Sequence, residues 1–215
     1  MRASRNSAAV ARIDGVSDAV DVATADERSM RPEDAAMERY AAGDDAAFEI
    51  VYDALADRIA AYLRRHVRDP HRREDLLQET FLRMHRARGT FMTGAPVLPW
   101  AFAIARRLVV DQARRDRRNP APVTDTEPVL DRPTRVADRP EEVVEARQSA
   151  ARLAEALARL PDSQRVAFEL LKQDGLTLVD AAAVLGITVT AVKLRAHRAY
   201  EALRVALRGL AEVRV

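Results

Sequence analysis

The chain has 215 residues, enough for one large or two small domains, and its 35 basic and 33 acidic side chains nearly cancel, so net charge alone points to no class of partner. It contains no cysteine, which excludes disulfides and thiolate chemistry. Since no apolar run approaches the roughly 20 residues that span a bilayer and no signal-peptide core is visible, we expect a cytoplasmic protein that is not embedded in a membrane.

The charges are unevenly distributed along the chain. Residues 1–50 carry six basic side chains against eleven acidic ones, whereas residues 106–118 and 193–208 each have an excess of four basic side chains. Two separate basic segments in one chain suggest a single polyanion that is contacted in two places.

The first third of the chain changes from an irregular composition to a helical pattern. Residues 1–32 are rich in Ala, Ser, Asp and Arg and show no periodicity, which predicts a disordered arm. Order is expected to begin near Pro32, because Pro-Glu-Asp suits the first turn of a helix. Apolar spacing then predicts a helical domain over residues 33–118. Its first apolar stripe comprises Phe48, Val51, Tyr52, Leu55, Ile59, Tyr62 and Leu63, and its second comprises Leu76, Leu77, Phe81, Leu82 and Met84.

The segment DLLQETF, residues 75–81, places a polar strip on one side of a helix. The members of this strip are Asp75, Gln78 and Glu79, which recur together with Leu82 at three- and four-residue steps. The pattern is typical of a solvated helix face, and a sharper interpretation is a strip that docks another protein. Metal ligation together with His71 or His85 is a third interpretation, but helical metal sites need a second set of carboxylates, which the sequence lacks.

A loop is predicted from Gly89 to Pro99, followed by a helix that opens near Trp100 and ends in RRDRR. Phe91, Met92 and Trp100 could stack or pack against bases, and the arginines could hold phosphates. A core anchor is the alternative for Trp100, and a solvated helix end is the alternative for the arginines. The basic side chains of this helix are Arg106, Arg107, Arg114, Arg115, Arg117 and Arg118.

Residues 119–140 hold five of the ten prolines, which predicts a stiff, extended linker.

Residues 141–215 predict a second domain, which contains a helix-turn-helix. A helix is followed by a turn at Asp174-Gly175, a second helix, a tight turn at Gly186 and a basic last helix that Thr188 can cap. The inward positions of the last helix are predicted to be Val192, Ala196, Ala199 and Leu203. Its opposite face is basic and suits a DNA major groove, or else belongs to a three-helix bundle with a solvated cationic face. The predicted fold is all-α, with two small helical domains joined by the proline-rich linker.

Together these segments resemble the extracytoplasmic-function (ECF) sigma factors of bacterial RNA polymerase. The resemblance covers roughly residues 38–207, and its motifs are DLLQETF, PWAFAIARRLVVDQARR, the proline-rich gap, LARLPDSQRVAFELL and AVLGITVTAVKLRAHRAYEALR. It implies a non-enzymatic subunit, without metal or cofactor, that binds core polymerase and directs it to specific promoters. Members of the family are commonly held inactive by an anti-sigma protein, so the resemblance also implies such a partner.

The resemblance further implies a role for each part of the chain. The polar strip would bind the clamp helices of the β′ subunit, through Asp75, Gln78 and Glu79. The loop and helix near Trp100 would engage the −10 element, including a base flipped out of the non-template strand, through Phe91, Trp100, Arg106, Arg107, Arg114, Arg115, Arg117 and Arg118. The last helix would read the −35 element, through Thr190, Lys193, Leu194, Arg195, His197 and Arg198. Lys193 and Arg198 are the foremost candidates for this contact, whereas Arg195 could run along the backbone and Arg165 could support packing or phosphate contact.

The chain departs from the family pattern at several positions. Thr190-Ala191 stands where Gly-Thr is usual, and Leu194 stands where Ser is frequent. Leucine cannot hydrogen-bond a base edge but can pack on a thymine methyl group.

The main alternative to a sigma factor is a stand-alone helix-turn-helix regulator, which would bind its operator without polymerase. A helical hydrolase or metal protein is disfavoured, because clustered histidines and a glycine-rich phosphate loop are missing.

Overall fold

The computed structural model describes residues 30–118 and 151–212, the last six of them as backbone only. These residues are almost entirely helical, the described ranges contain no strand, and the chain divides into two compact units. The predicted all-α class is thereby confirmed. The predicted arm, apart from residues 30–32, and the predicted linker lie outside the described residues.

Residues 30–118 of the first unit form four helices and one 3-10 turn: α1 (Pro32–Ala41), α2 (Ala47–His66), α3 (Pro70–Ala87), the turn Arg88–Thr90 and α4 (Val97–Arg118). Helices α1 and α3 both begin at a proline, where the missing N–H would have no helical partner anyway. The Asp69 carboxylate caps α3 by accepting a hydrogen bond from the backbone N–H of His71 at 3.0 Å. The helix expected at Pro32 is confirmed.

The core of the first unit is formed by one apolar face of each helix. Tyr62 of α2 meets Phe102 of α4 edge to face at 5.4 Å between ring centroids, and both rings are buried. Aromatic pairs in this geometry add to the stabilisation that apolar burial provides. The other fully buried large side chains of this unit are Met37, Val51, Leu55, Ile59, Leu63, Met84 and Val97, with Thr80 as the buried polar residue.

Two details of the first unit differ from the sequence prediction. Tyr52, placed in the apolar stripe of α2, is 41 % exposed, because its ring lies over Phe81 at the edge of the core, with the centroids 4.6 Å apart. The loop ends earlier than predicted, since α4 already begins at Val97 and carries Pro99 within its first turn. The buried face of α4 consists of Val97, Leu98, Pro99, Ala101, Phe102, Ala105 and Leu108.

Among the described residues, the second unit contains helical residues 151–158, labelled α5, and the helices α6 (Asp162–Lys172) and α8 (Val189–Glu212). One apolar cluster joins these three helices, and its buried members are Ala156, Leu157, Leu160, Phe168, Ala199 and Leu203. The short helix α7 (Leu178–Leu185) precedes α8 in the chain. The predicted inward positions of α8 are all buried.

The predicted turns around α7 and α8 are also confirmed. Gly175 and Gly186 have φ values of +66° and +65°, in the left-handed region that glycine adopts at little cost. A Cβ at Gly186 would meet nothing within 4 Å, so the backbone conformation alone favours glycine there. The hydroxyl of Thr188 accepts a hydrogen bond from the backbone N–H of Ala191 at 3.2 Å and so caps α8.

Candidate functional site

The polar strip predicted on α3 lies on the surface of the first unit. Asp75 and Gln78 are exposed, and Glu79 is half-buried beside Arg83, whose Nε donates to Glu79 Oε1 at 2.8 Å. Leu82 continues the strip and is 41 % exposed, whereas the neighbouring Phe81 is buried. The strip therefore combines carboxylates, an amide and an apolar side chain, a mixture suited to contact with another protein.

We call the segment that joins α3 to α4, residues 88–96, the aromatic loop. The rings of Phe91 and Trp100 are in T-shaped contact, with centroids 5.2 Å apart, and both residues are half-buried. Met92, at the adjacent position, is 75 % exposed. Trp100 thus belongs to an aromatic pair at the surface and is absent from the buried core.

Carboxylates of α1 hold this loop, and sequence reasoning missed them. Glu38 Oε1 accepts a hydrogen bond from the N–H of Gly94 at 2.6 Å, and Asp34 Oδ1 accepts one from the N–H of Val97 at 2.8 Å. The only signal in the sequence was their four-residue spacing, which places both on one face of a helix.

A second contact between α1 and the loop region lies where the loop leaves α3. The Tyr40 hydroxyl and Nδ1 of His85 are hydrogen-bonded at 2.5 Å, and the guanidinium of Arg88 lies 5.6 Å from the centre of the Tyr40 ring. Burial raises the pKa of Tyr40, and the nearby Asp45 adds to this effect, whereas Arg88 opposes it. The described residues hold no group of three or more candidate metal ligands, and His85 instead bonds Tyr40.

The arginines of α4 follow the loop along the helix. Arg107, Arg114 and the last-turn arginines Arg115, Arg117 and Arg118 are exposed, and Arg106 is half-buried. Within residues 30–118 and 151–212 none of the six forms an ion pair. Guanidinium groups can bind phosphates through paired hydrogen bonds, and those in the last turn also interact favourably with the negative end of the helix dipole.

Helix α8 separates a buried face from an exposed polar face. The exposed face comprises Thr190, Lys193, Leu194, His197 and Arg198, while Arg195 is half-buried. Leu194 is 48 % exposed and is the apolar member of this face. Arg165 is turned toward its own helix, where its Nη2 donates to Asp162 Oδ1 at 2.6 Å and its Nε lies 3.9 Å from Glu169 Oε1.

Two segments of the chain match known protein families. Residues 51–119 match Sigma-70 region 2, and residues 150–203 match Sigma-70 region 4. The sigma factor CarQ of Myxococcus xanthus is 34 % identical over 168 residues, which cover 78 % of this chain and 93 % of CarQ. The chain belongs to the ECF family of RNA polymerase sigma factors.

Other relatives of this sigma factor are similar over comparable lengths. The ECF sigma factor SigF of Caulobacter vibrioides is 36 % identical over 162 residues, or 75 % of this chain and 86 % of SigF. A solved structure of CnrH, in complex with the cytosolic domain of CnrY, covers 86 % of this chain and all of the CnrH chain with a TM-score of 0.60 and 24 % identity. RpoE of Bartonella quintana, solved with the anti-sigma factor NepR, covers 75 % of this chain and 96 % of its own at a TM-score of 0.59 and 24 % identity. These two structures support the fold.

Family membership decides between the functions that the sequence left open. The sigma factor binds core RNA polymerase and promoter DNA and directs transcription initiation, so the stand-alone regulator is not favoured. It acts by binding and is not an enzyme. None of the described helices is long and apolar enough to cross a membrane.

Proposed function

We propose that three surfaces of this sigma factor make three separate contacts during promoter recognition. The α3 strip binds the β′ clamp helices of core polymerase, the aromatic loop and the α4 arginines bind the −10 element, and the exposed face of α8 reads the −35 element. Residues 33–118 and 141–215 form the corresponding domains, with residues 119–140 as the linker and 1–32 as an arm. The observation that carries this proposal is that none of the side chains assigned to these contacts is buried.

The chemistry of each surface suits its proposed target. Asp75 and Gln78 supply acceptors and a donor beside the exposed Leu82. The Phe91–Trp100 pair and Met92 offer stacking and apolar surface for unpaired bases. Lys193 and Arg198 can donate to base edges or phosphates in the major groove.

Run-off transcription with core polymerase and promoter fragments from the host genome tests the assignment. The wild-type protein should produce discrete transcripts whose upstream sequences define its −10 and −35 elements. We expect the double variant Asp75→Ala/Gln78→Ala to lose affinity for core polymerase on the order of tenfold and to lose transcription from every promoter.

Glu74→Ala is the matched control for this test, because Glu74 is exposed on the same helix and lies beside the strip. It should retain both core binding and transcription. If the double variant binds core polymerase with wild-type affinity, the strip is not part of the polymerase interface.

We also propose that the sigma factor acts in the cytoplasm, where polymerase and DNA are found, and that an anti-sigma protein controls it. Support comes from the structures of CnrH and RpoE, each of which was solved with a second protein bound, NepR being named as an anti-sigma factor. Transcription by the purified sigma factor should fall when its cognate anti-sigma protein is added at equal concentration. Undiminished transcription with every protein encoded beside the sigma factor would contradict this control.

A further inference from the structure

The aromatic loop reaches α4 without a local cap. Ala95 and Pro96 precede Val97 and neither has a side chain that can accept a hydrogen bond, so the backbone N–H groups of the first turn depend on partners from elsewhere. Pro99 removes one of these donors, but the N–H of Val97 remains, at a residue that is completely buried. A buried N–H without a partner would destabilise this end of the loop.

Asp34 of α1 supplies the missing cap across the fold. Its Oδ1 accepts a hydrogen bond from the N–H of Val97 at 2.8 Å, although the two residues are 63 positions apart in the chain. The carboxylate also lies at the positive end of the α4 helix dipole, where negative charge is favoured. The start of α4 is therefore held by α1.

Glu38, one helical turn beyond Asp34, holds the tip of the loop. The backbone turns at Met92–Ala95, where the N–H of Ala95 donates to the carbonyl of Met92 at 3.0 Å and Gly94 has a φ of +79°. The N–H of Gly94 points out of this turn and donates to Glu38 Oε1 at 2.6 Å. Two carboxylates on one face of α1 thus bind two amides three residues apart in the loop.

The two carboxylates are not required for the packing of α1 itself. Helix α1 is anchored by Ala36, Met37 and Tyr40, which are buried, whereas Asp34 and Glu38 are half-buried at its edge. Removal of either carboxylate leaves these apolar contacts in place. The bonds to Gly94 and Val97 therefore serve the loop rather than the core.

We propose that Asp34 and Glu38 are positioning residues for recognition of the −10 element. They hold the turn at Gly94 and the start of α4 in one geometry, so that Met92 and the Phe91–Trp100 pair present a fixed surface to the unpaired bases. This inference rests on the proposed role of the loop in −10 binding. Fixed surfaces discriminate between bases better than mobile ones, because a mobile loop can adapt to the wrong base and must be ordered on binding.

The test compares binding of holoenzyme to two single-stranded oligonucleotides by fluorescence anisotropy. One carries the −10 non-template sequence of a promoter found by run-off transcription, and the other has one −10 base changed. In the variant Asp34→Ala/Glu38→Ala, the ratio of the affinities for the two oligonucleotides should fall about tenfold. Its affinity for core polymerase should stay within about twofold of wild type, since the α3 strip is untouched.

Two further variants separate positioning from general stability. Asp34→Asn/Glu38→Gln keeps an oxygen acceptor at both sites and should restore most of the discrimination. Glu33→Ala removes a negative charge from the same helix turn without touching the loop and should behave as wild type. A parallel loss of core affinity and −10 discrimination in the alanine variant would assign the carboxylates to folding and overturn the inference.

Trp100→Ala distinguishes failure of this inference from failure of the proposed function. If Trp100→Ala abolishes discrimination while Asp34→Ala/Glu38→Ala preserves it, the loop reads the −10 element and the carboxylates do not position it. If Trp100→Ala and Met92→Ala both preserve discrimination, the loop does not read the −10 element, and the inference falls with the proposed function.

Discussion

Single side chains determine where the helices that carry the proposed contacts begin. Asp69 caps α3, Thr188 caps α8, and Asp34 caps α4 from a distant part of the chain. Each cap provides an acceptor for a backbone N–H of the first turn that has no partner within its own helix, and it thereby marks the residue at which the helix begins. These caps therefore stabilise the first turns of the helices that carry the proposed contacts.

The cap of α8 can be tested by removing one hydroxyl. Thr188→Ala should lower the free energy of unfolding by about 1 kcal/mol, because the N–H of Ala191 loses its acceptor. Thr188→Ser keeps the hydroxyl and should stay close to wild type. Urea denaturation followed by circular dichroism measures both variants, and equal stability of Thr188→Ala and Thr188→Ser would contradict the cap.

Leu194 can be tested by removing a methyl group from the DNA. If Leu194 packs on a thymine of the −35 element, replacing that thymine by uracil should weaken holoenzyme binding by about 0.8 kcal/mol. The same replacement should have no effect on Leu194→Ala, because the partner of the methyl group is gone. Uracil scanning of a −35 duplex measures this coupling, and its absence at every thymine would remove Leu194 from the base contacts.

At the level of elements, the two faces of α8 differ: one packs against other helices and the other is exposed. Ala199 and Leu203 pack into the cluster with Phe168, while Lys193 and Arg198 face outward. A rigid apolar face is the means by which a recognition helix keeps its other face in register with DNA. Substitutions on the two faces should therefore have different consequences.

Two neighbouring apolar residues of α8 provide a matched pair for this expectation. Leu203→Ala should destabilise the second unit by about 2–5 kcal/mol, because Leu203 is 2 % exposed and its loss leaves a cavity. Val205→Ala should change stability by less than about 0.5 kcal/mol, since Val205 is 69 % exposed. Thermal denaturation compares the two, and similar costs would mean that α8 does not pack as described.

At the level of the whole molecule, the proposed contacts lie on both units of one chain. Each unit alone would offer few contacts to DNA, but their covalent connection raises the effective concentration of the second contact once the first has formed. Weak individual surfaces can thus give specific promoter binding when both elements are present and polymerase holds the first unit.

The salt dependence of promoter binding measures how much the α4 arginines contribute to the affinity for promoter DNA. Holoenzyme with Arg114→Gln/Arg117→Gln should show a slope of log affinity against log salt that is smaller by about 1.4, if each arginine neutralises one phosphate of a single strand. Arg114→Lys/Arg117→Lys keeps both charges and should retain the wild-type slope. An unchanged slope in the glutamine variant would place these arginines away from the DNA backbone.

Local patterns in the sequence were sufficient for most of the helical architecture. The start at Pro32, the buried face of α8, the turn at Gly186 and the Thr188 cap all follow from interactions between residues a few positions apart. Helical periodicity and capping depend on such short separations, so they can be predicted without knowledge of the fold. The surface position of the α3 strip followed from the same periodicity.

The sequence by itself determined the helices, their inward faces and the family motifs, because these depend on local spacing. Only the tertiary structure decided how the aromatic loop is held. Glu38 and Gly94 are 56 residues apart, Asp34 and Val97 are 63 apart, and their meeting depends on how α1 packs against α2 and α4. The exposure of Tyr52 and the pairing of Trp100 with Phe91 likewise depend on which helix edge meets which neighbour. No periodicity within a segment encodes those distances, because they arise from the packing of side chains contributed by separate helices.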